Sequence, residues 1–187
     1  MLRSLVLCVV VVCAVAACIP PGPGSREYKP VSKWEEDAFK KADRGVFPND
    51  VRADFGKYDS LRAAWPGIIL NAEVRPTDSA IALDLLVEHH YYDWIEDFSI
   101  QQEKIFLSPR GEGLFRTTWW LKLDADTAEL ARTDGDMVIV YGIPTALEDS
   151  VVVLKAYYVR LIDKQWFATD IMDYGRPGEP VTVLRVP

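Results

Sequence analysis

The stretch "LFRTTWWLKLDADTAELARTDGDMVIVYGI", Leu114–Ile143, changes its period twice. From Leu114 to Leu123 the residues alternate, and Phe115, Thr117, Trp119, Leu121 and Leu123 share one face, as in a half-buried strand. At Asp124 the alternation stops. Asp126 reads as a helix N-cap with Glu129 three residues later, and Gly135 reads as the stop. "MVIVYGI" then resumes a β-branched apolar run. The stretch is therefore a strand, a short helix and a strand.

Upstream, "GIILNAEV" (Gly67–Val74) alternates, with Ile68, Leu70, Ala72 and Val74 on one face and Ile69, Asn71, Glu73 and Arg75 on the other. After the turn "PTDS", "AIALDLLVEHHYY" (Ala80–Tyr92) points Ile81, Leu83, Leu85 and Val87 inward. "KIFLS" is a further β-rich run, separated from Leu114 by the loop "PRGEG". Downstream, "SVVVLKAYYVRLI" (Ser150–Ile162) is one more strand. Three strands, a short helix and two strands form the order of an OB-type barrel, a small five-stranded Greek-key β-barrel with its helix between strands three and four. The fold class is mostly β, and a β-sandwich is the alternative. A short N-terminal helix is expected over Lys33–Ala42, capped by Ser32 with Glu35 completing a capping box and Gly45 as its stop. "FPNDV" and "FGKYDS" read as turns, and "PGEPVTVLRVP" as an edge strand or an irregular tail.

The N-terminal residues bear on location. Arg3 precedes an apolar run, Leu5–Ala17, of 13 residues. That is short of the about 20 needed to span a bilayer, and fits a secretory signal. "VAAC", Val15–Cys18, resembles the lipobox of bacterial lipoproteins, in which the cysteine is acylated and becomes the new N-terminus. Cys8 and Cys13 do not fit, because Leu7 and Val12 stand where a small residue is required. The expected organisation is a signal peptide over residues 1–17, a lipidated Cys18 with a Pro/Gly-rich tether over 18–33, and one β-barrel domain over 34–187. Ile19, where an aspartate would favour inner-membrane retention, implies the outer membrane by the same resemblance, with the domain facing the periplasm. Two or more acyl chains make such an attachment lasting.

All three cysteines fall within the first 18 residues, so the mature chain would hold no free thiol, which excludes thiol catalysis and cysteine-ligated zinc. The 187 residues carry a formal charge of −7, which becomes −8 when Arg3 leaves with the signal peptide. That is a poor match for a phosphate backbone, so no nucleic-acid partner is expected.

The succession "KYDSLRAAWPGIILNAEV", an aliphatic strand, "GEGLFRTTWWLKLD", "GDMVIVYGIP" and "YYVRLIDKQW" resembles the Slp family of Gram-negative outer-membrane lipoproteins over about Lys57 to Trp166, together with the lipobox. The resemblance implies a location and a small β-barrel. It carries no catalytic residues. This chain departs from the pattern at Glu88–Arg110, which is longer and holds the only two histidines.

The two histidines, His89 and His90, sit in "EHHYYDWIED". On a strand they point to opposite faces and cannot easily grip one ion, whereas a helix would place one of them over Asp93 with Asp97 a turn on. Alternation leads into the segment, so a strand end is expected, with its polar face solvated and Tyr91, Tyr92 and Trp94 packed at the barrel rim. There is no HExxH and no GxSxG, and Glu96 and Asp97 point apart. No metal, cofactor or catalytic residue is expected. The candidate ligand contacts are His89, His90, Tyr92, Trp94 and Arg110 in the insert, and Trp120 as the outward member of its tryptophan pair. "SPRGEG", with Arg110 and Glu112, could cradle an anion. Three functions stay open: a non-enzymatic lipid-anchored envelope protein whose OB-like domain contacts a periplasmic partner or envelope component; a module binding a small molecule, glycan or metal through the insert; and a hydrolase.

Overall fold

The computed structural model describes residues 28, 30–97, 102–169, 172–173, 175–176 and 182–183. The signal peptide, Cys18 and nearly all of the tether lie outside the described residues, and so do most of the C-terminal tail and the side chain of Trp94.

Five strands close into a barrel: β1 (Ala63–Pro76), β2 (Ile81–His89), β5 (Leu114–Leu121), β6 (Met137–Glu148) and β7 (Val151–Ile162). Their order around the barrel is β1-β2-β5-β7-β6, and β6 pairs back onto β1 from Met137↔Ile68 to Gly142↔Ala63. All neighbours are antiparallel except β5 and β7, which run parallel through Phe115–Thr117 and Val152–Leu154. This is the OB topology, and closure rules out the sandwich. Between β5 and β6 lies a single helical turn, α3 (Thr127–Leu130), and the Asp126 carboxylate accepts from Ala128 N and Glu129 N as its cap.

The barrel interior is filled by Trp65, Ile69, Leu83, Leu85, Val87, Phe115, Val138, Val140, Val152 and Leu154. Burying a side chain of this size contributes about 1.5–3 kcal/mol. The Trp65 indole N–H is satisfied by Val46 O at 2.8 Å. The inward series of β2 follows the alternation of the sequence, but that of β1 does not. A bulge between Ile69 and Asn71 shifts the phase by one residue. Ile69 therefore faces in, Leu70 is exposed, and Ala72 and Val74 pack against the core. The bulge is stapled by the loop after α3: Gly135 N donates to Ile69 O, and Ala72 N donates to the Asp134 carboxylate at 2.7 Å. Gly135 adopts φ +83°, which suits glycine.

A second core lies outside the barrel, over β6 and β1. Met137, Ile139, Tyr141, Ala64 and Ile162 meet α1 (Lys33–Lys41) through Ala38, and meet the insert through Ile105 and Leu107. The insert is a hairpin, β3 (Tyr92–Asp97) with β4 (Gln102–Leu107), and β8 (Phe167–Thr169) joins β4 in parallel. At the tail, Met172–Asp173 (β9) pairs with Thr182–Val183 (β10). "FPNDV" departs from its expected turn and opens a helix, α2 (Pro48–Ala53), with proline at the start and the Asp50 carboxylate accepting from Phe47 N at 3.0 Å.

The helix α1 begins as expected, with Ser32 Oγ accepting from Glu35 N at 3.1 Å. The other half of the capping box is absent. The Glu35 carboxylate is fully buried and accepts from Val31 N at 2.7 Å, from Tyr28 OH, and from Tyr141 OH at 3.4 Å, with Arg160 Nη1 at 3.5 Å. A carboxylate and a guanidinium on a packed wall attract each other more strongly than in water, and here they pin α1 to β6 and β7.

Candidate functional site

The histidine segment is not a solvated strand end. β2 stops at His89, and both histidines are buried. His89 continues the inward series of Leu85 and Val87 to the mouth of the barrel. Its ring packs against Phe47 and Tyr91, with centroids 5.0 and 5.3 Å away. Glu112 N donates to His89 Nδ1 at 3.1 Å, so the neutral ring carries its proton on Nε2, which has no hydrogen-bond partner. Burial, reinforced by the neighbouring His90, lowers the His89 pKa from 6.5 to about 3. At His90 it is Nδ1 that donates, to Ser108 O at 2.6 Å. Its Nε2 lies 3.5 Å from the Glu88 carboxylate.

The loop "SPRGEG" covers this pair. A β-carbon on Gly111 would sit 1.5 Å from His89 O, so only glycine lets the loop close down. The Glu112 carboxylate is occupied by Arg176 Nε at 2.9 Å, Asn49 Nδ2 at 3.2 Å and Tyr91 OH. Burial pulls its pKa upward, but these donors outweigh burial and hold it below the usual carboxylate range. Arg176 also reaches Asp50 at 3.0 Å, tying the tail to α2. The loop is thus a packed lid on the histidines rather than an anion cradle. Among the described residues, no three His, Cys, Asp or Glu side chains form a metal-holding group.

The structure disperses the remaining candidates. Tyr92 lies in the second core, and burial pushes its pKa up to about 12. Arg110 is exposed on the lid. Trp120 stands apart from the insert, on the outer face of β5, and is 58% exposed. It is the outward partner of Trp119, as the alternation requires.

What the sequence reading missed is the surface beside Trp120. An open groove of about 480 Å³ runs over the outer face of β1, β2 and β5, lined by Glu73, Arg75, Asp84, Leu86, Arg116 and Thr118 among others. Register brings these together in rows: Arg75 with Ala82 and Trp120, Glu73 with Asp84 and Thr118, Asn71 with Leu86 and Arg116. The bulge at Leu70 puts Asn71, Glu73 and Arg75 on the outside, so the phase shift itself builds this wall. Arg75 and Thr118 both bond the Asp84 carboxylate, and Arg116 lies 3.9 Å from Glu148. Glu73 and Asp84 face each other. Arg75 nevertheless holds Asp84 below the usual carboxylate range, the reverse of what a general acid requires. The groove is an open, mixed-charge surface flanked by an exposed indole.

Comparison with protein-family models, with curated proteins and with solved structures finds no match to this chain. The Slp-like resemblance rests on the residues quoted above.

Proposed function

We propose that this chain is a lipid-anchored protein of the bacterial outer membrane, facing the periplasm, whose OB barrel is a binding domain and not an enzyme. It contacts a partner protein or envelope component through the groove on β1, β2 and β5. The lipobox-like Val15–Cys18 and the Slp-like order of landmarks support the anchoring. The observation that carries the binding surface is the strand order. β2, at the centre of the groove, lies across the barrel from the β6–β7 seam to which Glu35 and Arg160 pin α1. The tether arrives on the α1 side, so the groove looks away from it. Ligand binding by the insert has less support, since His89, His90 and Tyr92 are spent on packing.

In-cell photo-crosslinking tests the reading. A photoreactive residue at Leu86 or Trp120 should give an adduct of defined mass, lost on Asp84→Lys. Adducts formed from Arg110 and never from the groove would reject it.

A further inference from the structure

We infer that the N-terminal end of α1, with Val31, Trp34 and Lys33, lies against the lipid headgroup layer, so that the barrel sits on the membrane in one orientation instead of swinging on its tether. This rests on the anchoring proposed above and adds a second, non-covalent contact with the bilayer.

Three observations converge. First, Trp34 is 80% exposed and Val31 67%, the two most exposed large apolar side chains among the described residues. Val31 stands just before the Ser32 cap and Trp34 in the first turn, so both lie at the start of α1. Nothing local requires a tryptophan there. Glu35 and Ala38 form the buried face of α1, and Trp34, at the edge of that face, is left in solvent.

Second, the tether is short. Nine residues lie between Cys18 and Tyr28, ten steps along the chain. Fully extended they reach at most about 36 Å. Tyr28 is fixed on the α1 wall, bonding Glu35, accepting from Tyr141 OH at 2.8 Å and stacking on Phe39 at 4.6 Å. Tyr28, within reach of the lipid site, is therefore held on the wall that carries α1, and this wall is the one the tether draws towards the bilayer.

Third, the charge is suitable. Between Lys33 and Arg44 the surface carries Lys33 at the helix start and Lys40, Lys41 and Arg44 towards its far end, against Glu36, Asp37 and Asp43, with Lys40 paired to Glu36 and Glu35 buried against Arg160. In a chain of net charge −7, the exposed side chains of this segment are close to balanced and do not repel a headgroup layer. An exposed indole with a lysine beside it, Lys33, is an arrangement that membrane interfaces favour. A second protein could also cover an exposed indole, but the tether's reach favours lipid.

The test uses the full, acylated protein in vesicles of phosphatidylethanolamine and phosphatidylglycerol. Acylated Cys18 does not react with thiol reagents, so Trp34→Cys and, separately, Trp120→Cys can each take one environment-sensitive fluorophore. The expected result is a blue-shifted label at position 34, quenched by lipids spin-labelled near the headgroup and about threefold less accessible to aqueous iodide than the label at position 120. If the mass of the N-terminal peptide shows acylated Cys18 while the two labels are equally accessible to iodide, this inference fails and the anchoring stands. If Cys18 carries no acyl group, both fail. A label at position 34 that is shielded equally in detergent without vesicles would assign the face to a protein contact and overturn the lipid contact.

Discussion

Acid should destabilise this protein well above the pH at which its carboxylates titrate, and His89 should be the reason. The native ring is sealed beneath the Gly111–Glu112 loop, and burial lowers its pKa to about 3. In the unfolded chain it titrates at about 6.5. Between these values the unfolded state binds a proton that the native state refuses, so stability falls as pH falls from about 6.5 towards 3. At pH 5 the unfolded imidazole is some 1.5 pH units into its protonated range, and the native one is still neutral. At about 1.4 kcal/mol per unit the loss relative to pH 8 is about 2 kcal/mol. This figure depends on the unfolded value and hardly changes if the native value lies a unit higher. Asp84 and Glu112, both held low by their donors, lose their contributions only below the ordinary carboxylate range, so the window from pH 8 to 5 is free of them. Urea titrations at pH 8, 7, 6 and 5 measure the slope. His89→Gln keeps an acceptor for Glu112 N but cannot take a proton, so it should flatten the profile by about the same 2 kcal/mol, whatever its stability at pH 8. A flat wild-type profile, or an unchanged slope in the variant, refutes the argument.

Other outcomes follow from the same contacts. Glu35→Gln leaves Arg160 on the wall without its carboxylate and should cost about 2–4 kcal/mol, read as a lower urea midpoint with an unchanged slope. Gly111→Ala must push the loop off His89 O and should cost about 3 kcal/mol or more, while Gly135→Ala, with open space around its β-carbon but φ +83°, should cost about 1 kcal/mol in the same denaturation assay. Trp120→Ala should change stability by less than about 0.5 kcal/mol, because the side chain is exposed. Cys18→Ser should shift the protein out of the membrane fraction, or leave the precursor uncleaved, without altering the urea midpoint of the folded domain.

The barrel was legible in the sequence wherever a strand obeys its own period. Ile81, Leu83, Leu85 and Val87 read as inward and are inward. Asp126 read as a cap and is one. What could not be read was set by residues far along the chain. The phase change at Leu70 is made by Asp134 and Gly135, about 65 positions later, whose loop holds the bulge open. Glu35 has capping-box spacing, but Arg160 and Tyr141 draw its carboxylate into the wall. At the histidines the alternation correctly joined His89 to Val87, and the error was solvation. Phe47, Glu112 and Arg176 close over that end from three separate elements, and no local pattern announces a lid assembled in this way. Trp120 was placed outward correctly, but the groove beside it depends on the bulge and on the register of three strands.

The two sides of the barrel are therefore unequal. The β6–β1 wall is covered by α1 and by the β3–β4 hairpin, whose residues form the second core. Substitutions there act through stability, because each removes a buried contact or strands a charge. The β1–β2–β5 wall carries two surface ion pairs, Arg75–Asp84 and Arg116–Glu148, with Glu73 beside them, and surface pairs contribute little to folding, about 0–1 kcal/mol each. Five charged side chains aligned over one groove with so little return in stability call for another reason, and a binding partner supplies one. The expected separation is measurable: Glu35→Gln should lower the urea midpoint and leave groove crosslinks intact wherever the protein is folded, whereas Asp84→Lys should abolish the crosslinks at little cost in midpoint. If Asp84→Lys instead unfolded the barrel while crosslinking per folded molecule stayed constant, the groove would be part of the scaffold, and the partner surface would have to be sought elsewhere on the molecule.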